Sequence, residues 1–79
     1  MYNIRNIRTG ELDLYDTQAK IYSGEVEIGT VRDYGDSQDL EIKFYDHEVA
    51  ASFQDFARAR GQSIQGYVLT LIEIAIDED

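Results

Sequence analysis

The rhythm of apolar and polar residues changes part-way along the chain. Across residues 1–45 they mostly alternate, and from 46 to 76 apolar residues return every three or four positions. These are the periods of a half-buried strand and of an amphipathic helix. In the first half, "ELDLYD" sets Leu12 and Leu14 against charge. The stretch "AKIYSGEVEIGTVRDY" holds Ile21, Val26, Ile28 and Val31, with Ser23-Gly24 as a hairpin turn. Gly29 interrupts the alternation between Ile28 and Val31, which predicts a β-bulge. "DYGDSQD" reads as a turn. The cleanest strand is "LEIKFYD", with Leu40, Ile42 and Phe44 facing one way and Glu41, Lys43 and Tyr45 the other. Ile4 and Ile7 do not alternate, so the first strand is the weakest feature of the pattern, and "NIRNIR" is short enough to be a chance repeat.

The second half reads as a helical hairpin. Asp46 is a good N-cap, Glu48 suits the positive end of the helix dipole, and Arg58 and Arg60 suit its negative end. Val49, Ala50, Phe53, Phe56 and Ala57 follow at helical spacing, and Gly61 takes the position after the C-cap. Ser63 then caps a second helix whose inner face is Ile64, Tyr67, Val68, Leu71, Ile72 and Ala75. A strand over "LTLIEIAID" competes, because Ile72, Ile74 and Ile76 alternate and β-branched residues favour strands. Gly61 and Ser63, placed just ahead of a helical face, favour the helix.

The expected fold is α+β: one domain over 1–79, a three- to four-stranded antiparallel meander in 1–45 and a two-helix hairpin in 46–79. Its expected core is Leu12, Leu14, Ile21, Val26, Ile28, Leu40, Ile42, Phe44, Val49, Phe53, Phe56, Val68, Leu71 and Ile72. Leu69, Ile74 and Ile76 fall off the inner face of the second helix and are expected to form a stripe that a partner covers, most simply a second copy in a homodimer.

Size sharpens that last expectation. A domain of 79 residues buries only about 60% of its unfolded surface. Disulfides, a metal or a partner chain are the usual supports for so small a core. The chain has no Cys and one His, His47, so no cofactor or metal is expected. No catalytic residues are singled out either. His47 stands in the first turn of a helix, Asp33, Asp36 and Asp39 lack the spacing of a calcium loop, and no phosphate-binding or zinc-protease motif occurs. "MYNIRNIRTG" lacks the apolar core of a signal peptide, and the apolar run from Tyr67 to Ile76 is too short for a membrane span. A soluble cytoplasmic protein is expected.

Charge points towards a partner. Sixteen acidic residues against seven basic ones give −9. Such a field repels nucleic-acid phosphates, so direct nucleic-acid binding is not expected, and it attracts a basic protein surface. Six Tyr add residues suited to interfaces. The candidate partner-binding residues are therefore Glu25, Glu27, Asp33, Asp36, Asp39 and Glu41, with Tyr22 and Tyr34 as anchors.

Two resemblances extend this reading. "LEIKFYDHEVAASFQDFARARGQSIQGYVLTLIEIAI", residues 40–76, resembles a ribbon-helix-helix module of the MetJ/Arc kind: an alternating strand, an acidic cap, a helix ending in "ARARG", then "QS" and a second helix. The resemblance implies a dimer whose paired strands enter the DNA major groove. Glu41, Lys43 and Tyr45 would face the DNA, and the amides around Gln62 and Ser63 would hold a phosphate. Residues 40–79 carry eight acidic and three basic groups, a balance unlike that of a free-standing DNA binder. In size, charge and architecture the whole chain loosely resembles small acidic phage accessory proteins, among them anti-CRISPR inhibitors. That likeness implies a non-enzymatic inhibitor or adaptor, a DNA mimic whose carboxylates occupy a basic nucleic-acid-binding surface.

Overall fold

The computed structural model describes residues 2–9, 17–33 and 40–77. Strands β1 (Tyr2–Thr9), β2 (Thr17–Ser23), β3 (Val26–Asp33) and β4 (Glu41–Phe44) form one antiparallel sheet in the order β1-β2-β3-β4. Helices α1 (His47–Ala59) and α2 (Ile64–Asp77) follow and cover one face of the sheet. The architecture is the α+β meander and helical hairpin that the change of rhythm predicts. The strand read from "ELDLYD", with Leu12 and Leu14, and the turn residues 34–39 lie outside the described residues.

Two bulges explain where the alternation fails. In β3, Glu27 pairs with Tyr22 and Gly29 pairs with Ile21, so Ile28 is the extra residue. Ile28 and Val31, three apart, are thereby both buried. The bulge expected at Gly29 is present, one residue earlier. In β1, Arg5 pairs with Lys20 and Arg8 with Gln18, so Asn6 and Ile7 together oppose Ala19. Asn6 has φ 59°, a left-handed conformation that Asn accepts better than most side chains. The repeat "NIRNIR" fits a strand because of this bulge. Ile4 is buried and Ile7 packs against the core, while Arg5 and Arg8 are exposed. A residue pattern that chance would explain is here the pattern of a bulged strand.

The turns and caps follow local chemistry. Gly24 (φ 62°) and Glu25 link Ser23 to Val26 in a two-residue hairpin, and glycine meets the positive φ at no steric cost. The Asp46 carboxylate accepts from the Glu48 N–H at 2.7 Å and starts α1. Gly61 (φ 73°) ends it. The Ser63 hydroxyl accepts from the Gly66 N–H at 3.1 Å and starts α2. The contest over residues 67–76 is thus won by the capping residues, and the β-branched run is helical.

Phe53 centres the core and is fully buried. Its ring lies 4.7 Å from Tyr2, 5.1 Å from Phe44 and 5.4 Å from Tyr67. Two rings from the sheet and two from the helices thus meet in a single aromatic cluster. Burying such a side chain contributes about 1.5–3 kcal/mol. Ile21, Ile28, Val68 and Leu71 are buried as expected, and Leu40, Ile42, Phe44, Val49, Phe56 and Ile72 pack partly against them. Ile4, Ala19, Val31, Ala57 and Tyr67 join the core beyond the expected set. Val26 does not belong to it and is 64% exposed. It follows the hairpin turn at the rim of the sheet, beside Glu48 and Ser52 at the open start of α1.

Candidate functional site on the outer face of the sheet

The face of the sheet turned away from the helices is a ladder of polar rows. One row runs Arg5, Lys20, Thr30 and Lys43 across the four strands. The next runs Arg8, Gln18, Arg32 and Glu41. A third sets Asn3, Tyr22 and Glu27 side by side, and Tyr45 joins it through its hydroxyl, which donates to the Glu27 carboxylate. Register explains this sorting. Residues on the same side of paired strands share a face, so the core pairs Ile21–Gly29 and Val31–Ile42 force their sequence neighbours outwards.

Five of the seven cations of the chain, Arg5, Arg8, Lys20, Arg32 and Lys43, therefore stand on one face. A shallow hollow of 430 Å³ opens there between Arg8, Lys20, Arg32 and Lys43. Sequence reasoning weighed the total charge and missed this cluster. The signal was available, because four of the five cations are immediate neighbours of the apolar residues Ile4, Ile7, Val31 and Ile42, and the fifth, Lys20, precedes Ile21.

The candidate carboxylates are interleaved with those cations. Glu25 lies 3.6 Å from Arg5, Glu27 lies 3.3 Å from Lys20, and Glu41 lies 2.9 Å from Lys43. The Tyr45 hydroxyl, with help from Lys20, holds the Glu27 carboxyl below its ordinary range against a smaller opposing effect of desolvation. Glu27 in turn pushes the Tyr45 phenol up. The Arg5 guanidinium stacks over the Tyr22 ring at 4.7 Å. Tyr22, Glu27, Glu41, Lys43 and Tyr45 are thus gathered on one face, with Glu25 at its hairpin edge. Asp33 ends β3 opposite Thr17, a strand position of the other parity. Tyr34, Asp36 and Asp39 lie outside the described residues.

The remaining candidates fall elsewhere. Gln62 donates to Thr70 at 3.0 Å and Ser63 caps α2, so both are engaged in building the start of that helix. Leu69, Ile74 and Ile76 are 44%, 48% and 56% exposed. They do not make a single stripe. Each residue advances a helix by about 100°, which places Leu69 and Ile76 together and Ile74 roughly 160° from Ile76. Ile74 instead lines a groove between α2 and β1.

Charge is unevenly shared along the chain. The described residues hold all seven cations and nine of the sixteen carboxylates. The other seven, Glu11, Asp13, Asp16, Asp36, Asp39, Glu78 and Asp79, belong to 10–16, 34–39 and 78–79. The first two of these segments join strands at the same end of the sheet, since Thr9 pairs with Thr17 and Arg32 with Glu41 there. No group of three or more His, Cys, Asp or Glu is placed to hold a metal among the described residues. No helix among them is long and apolar enough to cross a membrane. Comparison with protein-family models, with curated proteins and with solved structures finds no match for this chain.

Proposed function

We propose that the protein is a non-enzymatic inhibitor or adaptor that works in the cytoplasm by binding a basic surface on a protein partner. In its sharpest form it is a phage-type anti-defence protein of the anti-CRISPR kind, a DNA mimic that occupies a nucleic-acid-binding surface. The segregation of charge carries this reading. The cations are concentrated on the outer sheet face, where Glu25, Glu27 and Glu41 already have basic neighbours. The acidic excess therefore belongs to the other parts of the chain. Segments 10–16 and 34–39 alone supply five carboxylates and no cation. Among the candidate carboxylates, Asp36 and Asp39 then matter more than Glu25 and Glu41. The test is binding to a nuclease with a basic nucleic-acid channel, measured across ionic strength. Affinity should fall steeply with salt, and Asp36→Asn with Asp39→Asn should weaken it more than Glu25→Gln with Glu41→Gln. Affinity indifferent to salt rejects the mimic.

One observation favours a second reading, the ribbon-helix-helix regulator or antitoxin-like protein. β4 stands at the edge of the sheet among the described residues, and its outward residues Glu41, Lys43 and Tyr45 lie beside Arg32, Thr30 and Glu27 of β3. In that reading two copies pair β4 with β4, and the exposed Leu69 and Ile76 supply apolar contact between them. A single-copy molar mass by light scattering at micromolar concentration rules it out.

A further inference from the structure

The other edge of the sheet carries a different surface. β1 pairs only with β2 among the described residues, so the outer edge of Tyr2–Arg5 offers unpaired backbone groups. An exposed edge of this kind is a template for a further strand. Alongside it runs a groove of 600 Å³ between β1 and α2, within the range of about 300–1,000 Å³ typical of ligand clefts. Tyr2, Ile4, Tyr67, Leu71 and Ile74 supply its apolar lining, and among the described residues no carboxylate lines it. Arg60 is its one cation. In a chain of net charge −9, an apolar groove whose charged lining among the described residues is a lone cation would favour an anion.

Geometry places that cation at a particular end. The Arg60 guanidinium stacks on Phe56 at 4.4 Å, and the ring of Tyr2 packs on the same Phe56 at 5.1 Å. Arg60 therefore stands by the first residues of β1. A strand added antiparallel to β1 would bring its own C-terminus to that end. Its side chains on the helix side would enter the groove at alternate positions.

We propose that this edge binds the C-terminal tail of a partner protein, as an antiparallel fifth strand with apolar side chains in the groove and its terminal carboxylate on Arg60. Backbone pairing supplies affinity and the groove supplies side-chain preference, as in other strand-addition complexes. A second copy docked edge to edge fits less well. Antiparallel registers that set Arg5 of one β1 opposite Arg5 or Arg8 of the other would bring like charges to face each other across strands, which is unfavourable. This surface is separate from the acidic one proposed above and stands or falls independently of it.

The probe is a labelled hexapeptide, KTVTLV, made with a free C-terminal carboxylate and again as the amide. Binding is measured by fluorescence anisotropy and mapped by amide chemical shifts on the whole chain. The free acid should bind about tenfold tighter than the amide, the size of one charge-assisted contact. Shifts should centre on Tyr2–Arg5. Arg60→Gln should remove the difference between acid and amide, and Arg60→Lys should restore most of it. Ile74→Glu should weaken both peptides. A thermal melt of each variant separates loss of the contact from loss of the fold. Equal binding of acid and amide overturns the proposal. So do shifts confined to the outer sheet face, equal affinity for decanoate, which has a carboxylate but no backbone, or edge occupancy by self-association alone.

Discussion

Gly29 stands opposite Phe44 in the β3–β4 ladder, and the Phe44 ring fills the space that a side chain at position 29 would take. A Cβ there would meet Phe44 Cδ1 at 3.1 Å and run into the carbonyl oxygen of Lys43. The backbone of β4 cannot yield without moving the ring from Phe53, 5.1 Å away. Gly29→Ala should therefore destabilise the fold by about 1–3 kcal/mol, the range for overpacking a core. Urea denaturation followed by far-UV circular dichroism measures it, and an unchanged midpoint would contradict the close approach.

Asn6 makes the opposite prediction for its own glycine variant. Its φ of 59° suits Gly as well as Asn. Asn6→Gly should leave the unfolding free energy within about 0.5 kcal/mol, whereas Asn6→Val should cost about 1–2 kcal/mol. Comparison of the two denaturation curves isolates backbone conformation, because Asn6 is exposed and lies outside the hydrophobic core.

Phe53→Ala should cost about 3–5 kcal/mol, as for a large aromatic side chain removed from a packed centre. Three rings would lose their common neighbour at once. For a domain of this size most of its stability would go, and loss of the cooperative thermal transition is the expected readout.

The Tyr45–Glu27 pair should be visible in titrations. Glu27 has a lowered folded-state pKa, so its contribution to stability is present above the ordinary carboxylate range and fades as pH falls through the folded value. Tyr45 has a raised pKa, so its contribution is present below the ordinary phenol range and fades as pH rises through the folded value. Ultraviolet absorbance should show Tyr45 ionising above its ordinary value. Tyr45→Phe should move the Glu27 titration, followed by side-chain carbon NMR, upwards. No movement would mean that the phenol does not hold the carboxylate.

Much of the fold was legible because the informative residues act locally. Asp46, Gly61 and Ser63 punctuate the helices by their own hydrogen bonds and φ values. Leu40, Ile42 and Phe44 alternate without interruption into a strand. β1 was hard to read for the opposite reason. Its bulge depends on pairing with β2, and alternation alone cannot reveal which residue a partner strand leaves unpaired. Val26 was misplaced because alternation gives the face of a residue but not its distance from the rim. The candidate site suffered in the same way. Summing charge along the chain shows an acid excess, while the meeting of Arg5, Lys20 and Lys43 on one row is a property of register. The advance of about 100° per residue along α2 divides Leu69 and Ile76 from Ile74.

The bulged Asn-Ile-Arg repeat has a consequence for how this edge can change over time. Three residues with one left unpaired advance the ladder by two positions, a whole pleat. Duplicating or deleting such a triplet would lengthen or shorten β1 without inverting it, so every isoleucine would stay under the helices and every arginine outside. A one-residue insertion in an ordinary strand turns the rest of it inside out. Here the unit of tolerated length change is three residues, nine in-frame nucleotides, and the reach of the edge strand is a quantity that drift can adjust without rebuilding the core.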